Sequence, residues 1–409
     1  MKPEHHIPFS KDYLLEQQIT ENTFDKKETE NFKKLFEILE HYFHYDGFNF
    51  IQNIKRNYAS FDPDKTKEER LKLAWKSDYS VFKNSLLQVL ERGKYTRIEK
   101  RMLDEALNNS DLVSLQIHIN FDDFKEYSIY GRGLKKTTEK VPLYYFWKKE
   151  VELQYYERVI IILQYNDEAY FANKKINVDK LPFSPESILL KMFKRVPVHD
   201  LETIFPNAVP KMSLKDKLLM WIPGIVGGIS LLITKVIPPL IAIYAAYKAG
   251  EMSNIEESKN TLTQGLIALG LLGAYLFRQY NDYLNKKIKF SKMLSDSVYF
   301  KNLGNNSGVF PALIDASEEE ELKETILAYA FLNKSKDPLT AEELDEQIEF
   351  WFKDRFQLIL DFDVKGALEK LQKTGLGIES NGKWTVLPLE KALIRVDEIW
   401  DNIFNYNQP

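Results

Sequence analysis

Cysteine is absent from this chain, which excludes disulfides, thiolate catalysis and Cys-ligated zinc together. Histidine is scarce, six in 409 residues. His5, His6, His41 and His44 are the only candidates to gather on a metal. No acidic or thiolate partner stands at ligand spacing beside them, so they read as surface or boundary residues and no metal or cofactor is expected. No excess of either charge is present. The net charge is −4 and the pI is near 6.0, which supplies no global attraction to nucleic acid. The start, Met1-Lys-Pro-Glu-His-His, lacks the apolar core of a secretory signal, so synthesis is expected to begin in the cytosol.

Two long apolar runs are present, against a negative mean hydropathy for the whole chain. Leu218 to Tyr247 holds one charge, Lys235, in 30 residues, and Leu262 to Phe277 holds none in 16. About 20 helical residues cross a hydrocarbon core about 30 Å thick, so the pair predicts a membrane hairpin, with spans near 222–247 and 262–278. The first run is long for one span, and Pro238-Pro239 interrupt its hydrogen bonding. It reads as one kinked, tilted helix, with a re-entrant pair broken at Lys235 to Pro239 as the alternative. Lys235 would cost about 2.5 to 3.5 kcal/mol at the bilayer centre, which the surrounding aliphatics outweigh. Lys211, Lys215 and Lys217 precede the first run, and Arg278, Lys286, Lys287, Lys289 and Lys292 follow the second. The positive-inside rule then puts both flanking regions in the cytoplasm. Lys286, Lys287, Lys289 and Lys292 could also meet anionic headgroups. Gly224-x-x-x-Gly228 and Gly270-x-x-x-Ala274 would allow close helix contact.

The soluble remainder predicts an α+β protein. Phe32, Leu35, Phe36, Leu39, Tyr42 and Phe43 recur at helical steps, and further helices are expected at Lys67 to Trp75, at Tyr79 to Leu90 and, from a capping box of Thr96 and Glu99, to about Leu107. From Leu112 the period changes to two, and strands are expected at Leu115 to Ile119, Glu126 to Tyr130, Val141 to Trp147, Val151 to Tyr156 and Arg158 to Tyr165. Gly131-Arg132-Gly133 reads as a turn between them. Ser184 to Arg195 and Val198 to Phe205 read as helices, and the two regions together as helices packed on an antiparallel sheet. Beyond the hairpin, Asn305-Asn306-Ser307-Gly308 marks a turn, and Ser317 with Glu320 a capping box whose neighbouring acids, Glu318 to Glu321 and Glu324, would complement a helix dipole. Thr340 and Glu343 cap another helix. A helix after Asp363, then short strands around Asn381-Gly382, suggest a winged-helix-like end. Lys301 to Pro409 carries a net charge of about −9, which argues against DNA and for protein contact.

No catalytic signature stands out. Gly131-Arg132-Gly133 lacks the longer phosphate-binding glycine spacing. His199-Asp200-x-Glu202 could serve as a general base, though no nucleophile is tied to it.

Several blocks resemble domain-of-unknown-function family 3754, whose animal members are called transmembrane protein 143. They are Ile7-Pro8-Phe9, Gly131-Arg132-Gly133, Met192 to Pro197 leading to Asp200-Leu201-Glu202, Asn305 to Val309, and Glu318 to Leu332. The resemblance implies a two-span membrane protein of no established activity, with Arg132, Asp200, Glu202, Asn305, Asn306, Glu320 and Glu324 as motif residues. The animal members are thought to be mitochondrial, but the start of this chain fits a bacterial inner membrane better.

The expected organisation is a helical part (1–110), a sheet with helices (111–211), a membrane hairpin (212–278), juxtamembrane helices (279–335) and a winged-helix-like module (336–409). The expected function is a membrane-anchored scaffold acting through protein contacts or lipid headgroups. An oligomeric transporter and a membrane-associated hydrolase are the alternatives.

Overall fold

The computed structural model describes residues 3–22, 24–99, 102, 115–144, 147–178, 183–212, 222, 226, 229–230, 232–249 and 253–404. The chain is mixed α+β and folds as two units. One comprises Met1–Lys100, Phe121–Val198 and Lys301–Pro409, and the other Arg101–Asn120 and His199–Phe300.

The larger unit starts with four helices, each opened by a polar side chain that accepts from an otherwise unpaired N–H. Ser10 caps α1 (Lys11–Glu21), and Asp25 with Glu28 forms a reciprocal box on α2 (Lys26–Tyr58). Thr66 with Glu69 does the same for α3 (Lys67–Leu73), and Asp78 caps α4 (Tyr79–Arg92). The stripe Phe32, Leu35, Phe36, Leu39 and Phe43 is buried, as its helical spacing requires. Thr96, by contrast, does not cap a helix. It lies in β1 (Thr96–Arg97), paired with Gly131 across the sheet. Residues 103–107 of the helix expected there lie outside the described residues.

The strands that follow are β2 (Leu115–His118), β3 (Phe124–Tyr144), β4 (Trp147–Tyr165), β5 (Ile188–Pro197), β6 (Val209–Met212) and β7 (Asn302–Asn305). The short helix α5 (Glu168–Asn173) follows β4. An antiparallel sheet of the larger unit has the order β1-β3-β4-β5-β7. β3 and β4 form one long hairpin, so the two separate strand pairs read from the sequence merge. Gly131-Arg132-Gly133 is correspondingly no turn. Gly133 takes φ +68°, a conformation that costs glycine little, and pairing resumes at Leu134 opposite Tyr156. Residues 188–195, expected as helix, are strand. Their segment pairs with β4 along its length on one side and with β7 at Lys191 to Phe193 on the other, so its backbone groups find partners in the sheet.

In the second unit β2 pairs with β6, and Val198–Ile204 winds as a 3-10 helix. Helix α6 (Ile237–Ala249) continues directly from a π-helical turn, Leu232–Val236. Pro238 and Pro239 have no N–H to donate and clash with the carbonyls four residues earlier, and the wide π turn accommodates both defects. The chain therefore stays helical through Lys235 to Pro239, unlike the re-entrant alternative. Helix α7 (Ser253–Lys301) runs 49 residues and contains the whole second apolar run. A Cβ on Gly265 would lie 2.6 Å from the Lys235 carbonyl oxygen, so glycine is what lets α7 approach the π turn.

The larger unit resumes with α8 (Val309–Lys334), α9 (Ala341–Phe356), α10 (Val364–Lys373), the hairpin β8 (Gly377–Ser380) and β9 (Lys383–Val386), and α11 (Leu389–Asn402). Thr340 and Glu343 cap α9 reciprocally, and Asn381 and Gly382 take positive φ in the hairpin turn. Ser317 opens nothing. α8 begins eight residues earlier, at Val309 behind a 3-10 turn, and tolerates Pro311 because first-turn N–H groups have no helical acceptor. Helix α8 belongs to two cores. Its first turns, with Phe310 and Leu313, pack with Tyr58, Phe82 and Ile160. Its later turns, with Ile326 and Tyr329, pack with Phe32, Phe352 and Leu371. Residues 336–409 thus share a core with the N-terminal helices.

Candidate functional site

Because α8 packs in two cores, its acids Glu320, Glu321 and Glu324 are inside. Glu320 is 0 % exposed and Glu324 2 %. This corrects the reading of Glu318 to Glu321 and Glu324 as first-turn acids facing a helix dipole. Buried carboxylates require partners, and the structure supplies them from distant segments. Arg132 on β3 donates to Glu320 at 3.1 Å, and the backbone N–H of Ile7 donates to the other oxygen at 2.5 Å. Lys323, itself 2 % exposed, donates to the Ile7 carbonyl at 3.2 Å and pairs with Glu319 at 2.8 Å. One turn on, Glu324 sits between Lys94 and Lys370, each at 2.8 Å. Lys94 also reaches Asp363 at 2.6 Å. Burial works against the charged form of Lys94, but Glu324 and Asp363 outweigh it and hold the ammonium pKa up.

The N-terminal segment is tied into this cluster. Glu4 exchanges backbone bonds with Ile359 and Asp361, and Phe9 stacks on Phe352. His6 is 4 % exposed, with Nδ1 3.3 Å from Glu4 and Nε2 3.5 Å from Glu157. Both ring nitrogens face carboxylates, which suits the doubly protonated ring. Burial lowers its pKa, yet Glu157 and Glu4 more than compensate and the net shift is upward. His6, joined by Lys135, in turn brings Glu157 down to about 2 despite its partial burial. Each charge answers another. The cluster joins the N-terminal segment, the long hairpin, α8 and α10.

Two cavities of the larger unit flank α4. One, of about 500 Å³, is lined by Lys94, Tyr95, Tyr130, Asp361 and Asp363. The other, of about 140 Å³, lies between α4 and the sheet.

The remaining motif residues fall in two places. Asn306, at φ +50°, is a buried junction in the larger unit. Its side chain accepts from the Leu190 N–H at 3.3 Å and donates to Asp64 at 2.7 Å. Asn305 pairs with Lys191 at the edge of the sheet. In the other unit His199 lies 3.5 Å from Asp200, both solvent-accessible, while Glu202 is 3 % exposed. One Glu202 oxygen has no hydrogen-bond partner, and burial raises its pKa to about 7. Burial is the larger cause, and the neighbouring Asp200 charge adds to it. Lys235 is exposed on the π turn, and on α7 Arg278, Lys289 and Lys292 are exposed whereas Lys287 is half-buried. Lys286 lies on the same helix. Among the described residues no group of His, Asp and Glu is arranged to hold a metal ion.

Sequence reasoning missed Lys94, Lys370, Asp363 and the pairing of His6 with Glu157. A signal was present. Ile326 to Leu332 are apolar all round the helix, so this part of α8 must be buried, and acids carried in beside it need partners.

Fold and site together define an α+β protein with a buried ionic cluster and, among the described residues, one helical stretch, Leu232–Ala249, long and apolar enough to cross a membrane. Residues 156–308 match the model of a family described as a protein of unknown function (DUF3754). The match takes in the motif residues Asp200, Glu202, Asn305 and Asn306. No solved structure matches the chain.

Proposed function

We propose that this chain is a membrane-anchored interaction protein. The observation behind the reading is the exposure of Leu232–Ala249, only 11 % buried. The core helix of a soluble protein would hide such a sequence. Eighteen residues give about 27 Å of helix, close to the hydrocarbon thickness of about 30 Å. We extend the reading to the second apolar run within α7, where Leu266, Ile267, Leu271 and Phe277 are all more than half exposed. Together they would form the two-span hairpin, closed at Gly265, with the larger unit on the cytoplasmic side of a bacterial inner membrane. Arg278, Lys289 and Lys292 would then meet anionic headgroups, each worth about 1 kcal/mol. The C-terminal helices and hairpin, winged-helix-like in element order, would serve protein contacts. Kinship with the animal transmembrane proteins 143 belongs to the same proposal and rests on the sequence blocks. Extraction tests the reading. The protein should stay in the membrane pellet through alkaline carbonate and high salt and leave it only in detergent. Release by carbonate would remove the anchor.

A second reading draws on Lys235, a charge on an apolar helix at a π turn, as transport pathways require. Two spans cannot enclose a pathway, so this reading needs an oligomer. A monomeric mass in detergent would end it.

A further inference from the structure

The cavity of about 140 Å³ between α4 and the sheet has an apolar interior and a charged mouth. Phe82, Leu86 and Ile188, each at most 2 % exposed, form its floor with Ile162. Three charges line it. Glu126 is satisfied, accepting from Lys83 at 2.7 and 2.9 Å and from the Tyr79 hydroxyl at 3.0 Å. Lys83 is thereby neutralised. Arg97, on β1, is solvent-exposed and favours the charged form of Glu126 from a distance, while Lys83 and the Tyr79 hydroxyl hold the carboxylate itself. The site carries one surplus positive charge beside an apolar slot.

We propose that this slot binds a small apolar monocarboxylate, an aromatic or short-chain aliphatic acid. The ring or chain would enter between Phe82, Leu86 and Ile162, and the carboxylate would take the Arg97 guanidinium in a two-pronged contact. Volume sets the size, since an apolar cavity of about 150 Å³ holds one benzene ring. Charge sets the sign, because a carboxylate completes the pairing that Glu126 and Lys83 leave open. Ser128 and Gln164, also among the lining residues, add hydrogen-bonding groups. The inference concerns the larger unit and does not depend on how the protein meets a membrane.

Ligand-observed NMR on the full chain in nanodiscs, corrected for empty discs, tests it with benzoate as probe and benzyl alcohol as its neutral counterpart. The expected result is saturable benzoate binding in the millimolar range and weaker binding of benzyl alcohol. Arg97→Gln should weaken benzoate about tenfold or more, as loss of a charge-assisted hydrogen bond implies, and leave benzyl alcohol unchanged. Arg97→Lys should restore part of the loss. Leu87→Trp, at a partly exposed lining position, should block both probes. Absence of saturable benzoate binding overturns the proposal. So does equal binding of the two probes, or benzoate binding indifferent to both Arg97→Gln and Leu87→Trp.

Discussion

Removing Arg132 tests whether the ionic cluster holds the larger unit together. Arg132→Met keeps an unbranched apolar stem but no charged head, leaving Glu320, with no solvent exposure, short of its strongest partner. Breaking a buried pair from one side costs about 3 to 5 kcal/mol, because a charge is left desolvated. Two contacts soften the loss. The Ile7 N–H still donates to Glu320, and Lys323 stands 3.9 Å away. The low end, about 3 kcal/mol, is therefore expected, and in a domain of this size that lowers Tm by roughly 6–12 °C. Glu320→Gln added to Arg132→Met removes the stranded charge and keeps an acceptor for Ile7. The double variant should then recover about 2 kcal/mol relative to the sum of the single changes. Urea unfolding followed by far-UV circular dichroism measures all three. A cost below about 1 kcal/mol for Arg132→Met, or strict additivity, would refute the reasoning.

The pairing of His6 with Glu157 should give stability two pH limbs. Its His6 part is fully present below pH 6.5 and is lost as pH rises through the raised folded-state value, whereas its Glu157 part is present above pH 4.5 and is lost as pH falls toward about 2. His6→Asn should flatten the alkaline limb in unfolding curves taken from pH 5 to 9, and an unaltered limb would assign it to other groups. Glu202 has the opposite sign, because its raised value means a penalty that begins above pH 4.5 and is complete beyond about 7. Glu202→Gln should therefore stabilise the protein at pH 8 and change little at pH 4, and equal effects at both would contradict a buried, desolvated acid. Gly265→Val would drive a side chain into the Lys235 carbonyl and should separate α7 from the π turn. The readout is loss of a disulfide formed between cysteines placed on the two helices near that contact, and retention of the bridge would count against the close approach.

Much of the fold was legible where one periodic face decides an element. The stripe on α2, the capping box before α9, and the Asn381-Gly382 hairpin needed only local residues. Elements decided by distant pairing were not legible. Residues 188–195 carry apolar side chains at spacings that suit a helix, and only neighbours on both edges make them strand. Gly131-Arg132-Gly133 looks like a turn because glycine flanks a charge, whereas Gly133 merely kinks a strand that continues. The ionic cluster failed for the same reason. Arg132 meets Glu320 across 188 residues of sequence, and no local pattern announces that contact. Glu324, by comparison, finds Lys370 only 46 residues away, yet that too is a meeting of separate helices.

The membrane anchor is the centre of this account, and the absence of native cysteine makes it directly testable. Single cysteines at Lys235→Cys, Ser253→Cys and Ser291→Cys would be probed with a membrane-impermeant thiol reagent, before and after the membrane is opened. The account predicts labelling of position 253 from outside, of position 291 only after opening, and protection of position 235 in both. Equal labelling of all three from one side would contradict the hairpin, and labelling of position 235 by an aqueous reagent would replace the anchor with a water-filled pathway.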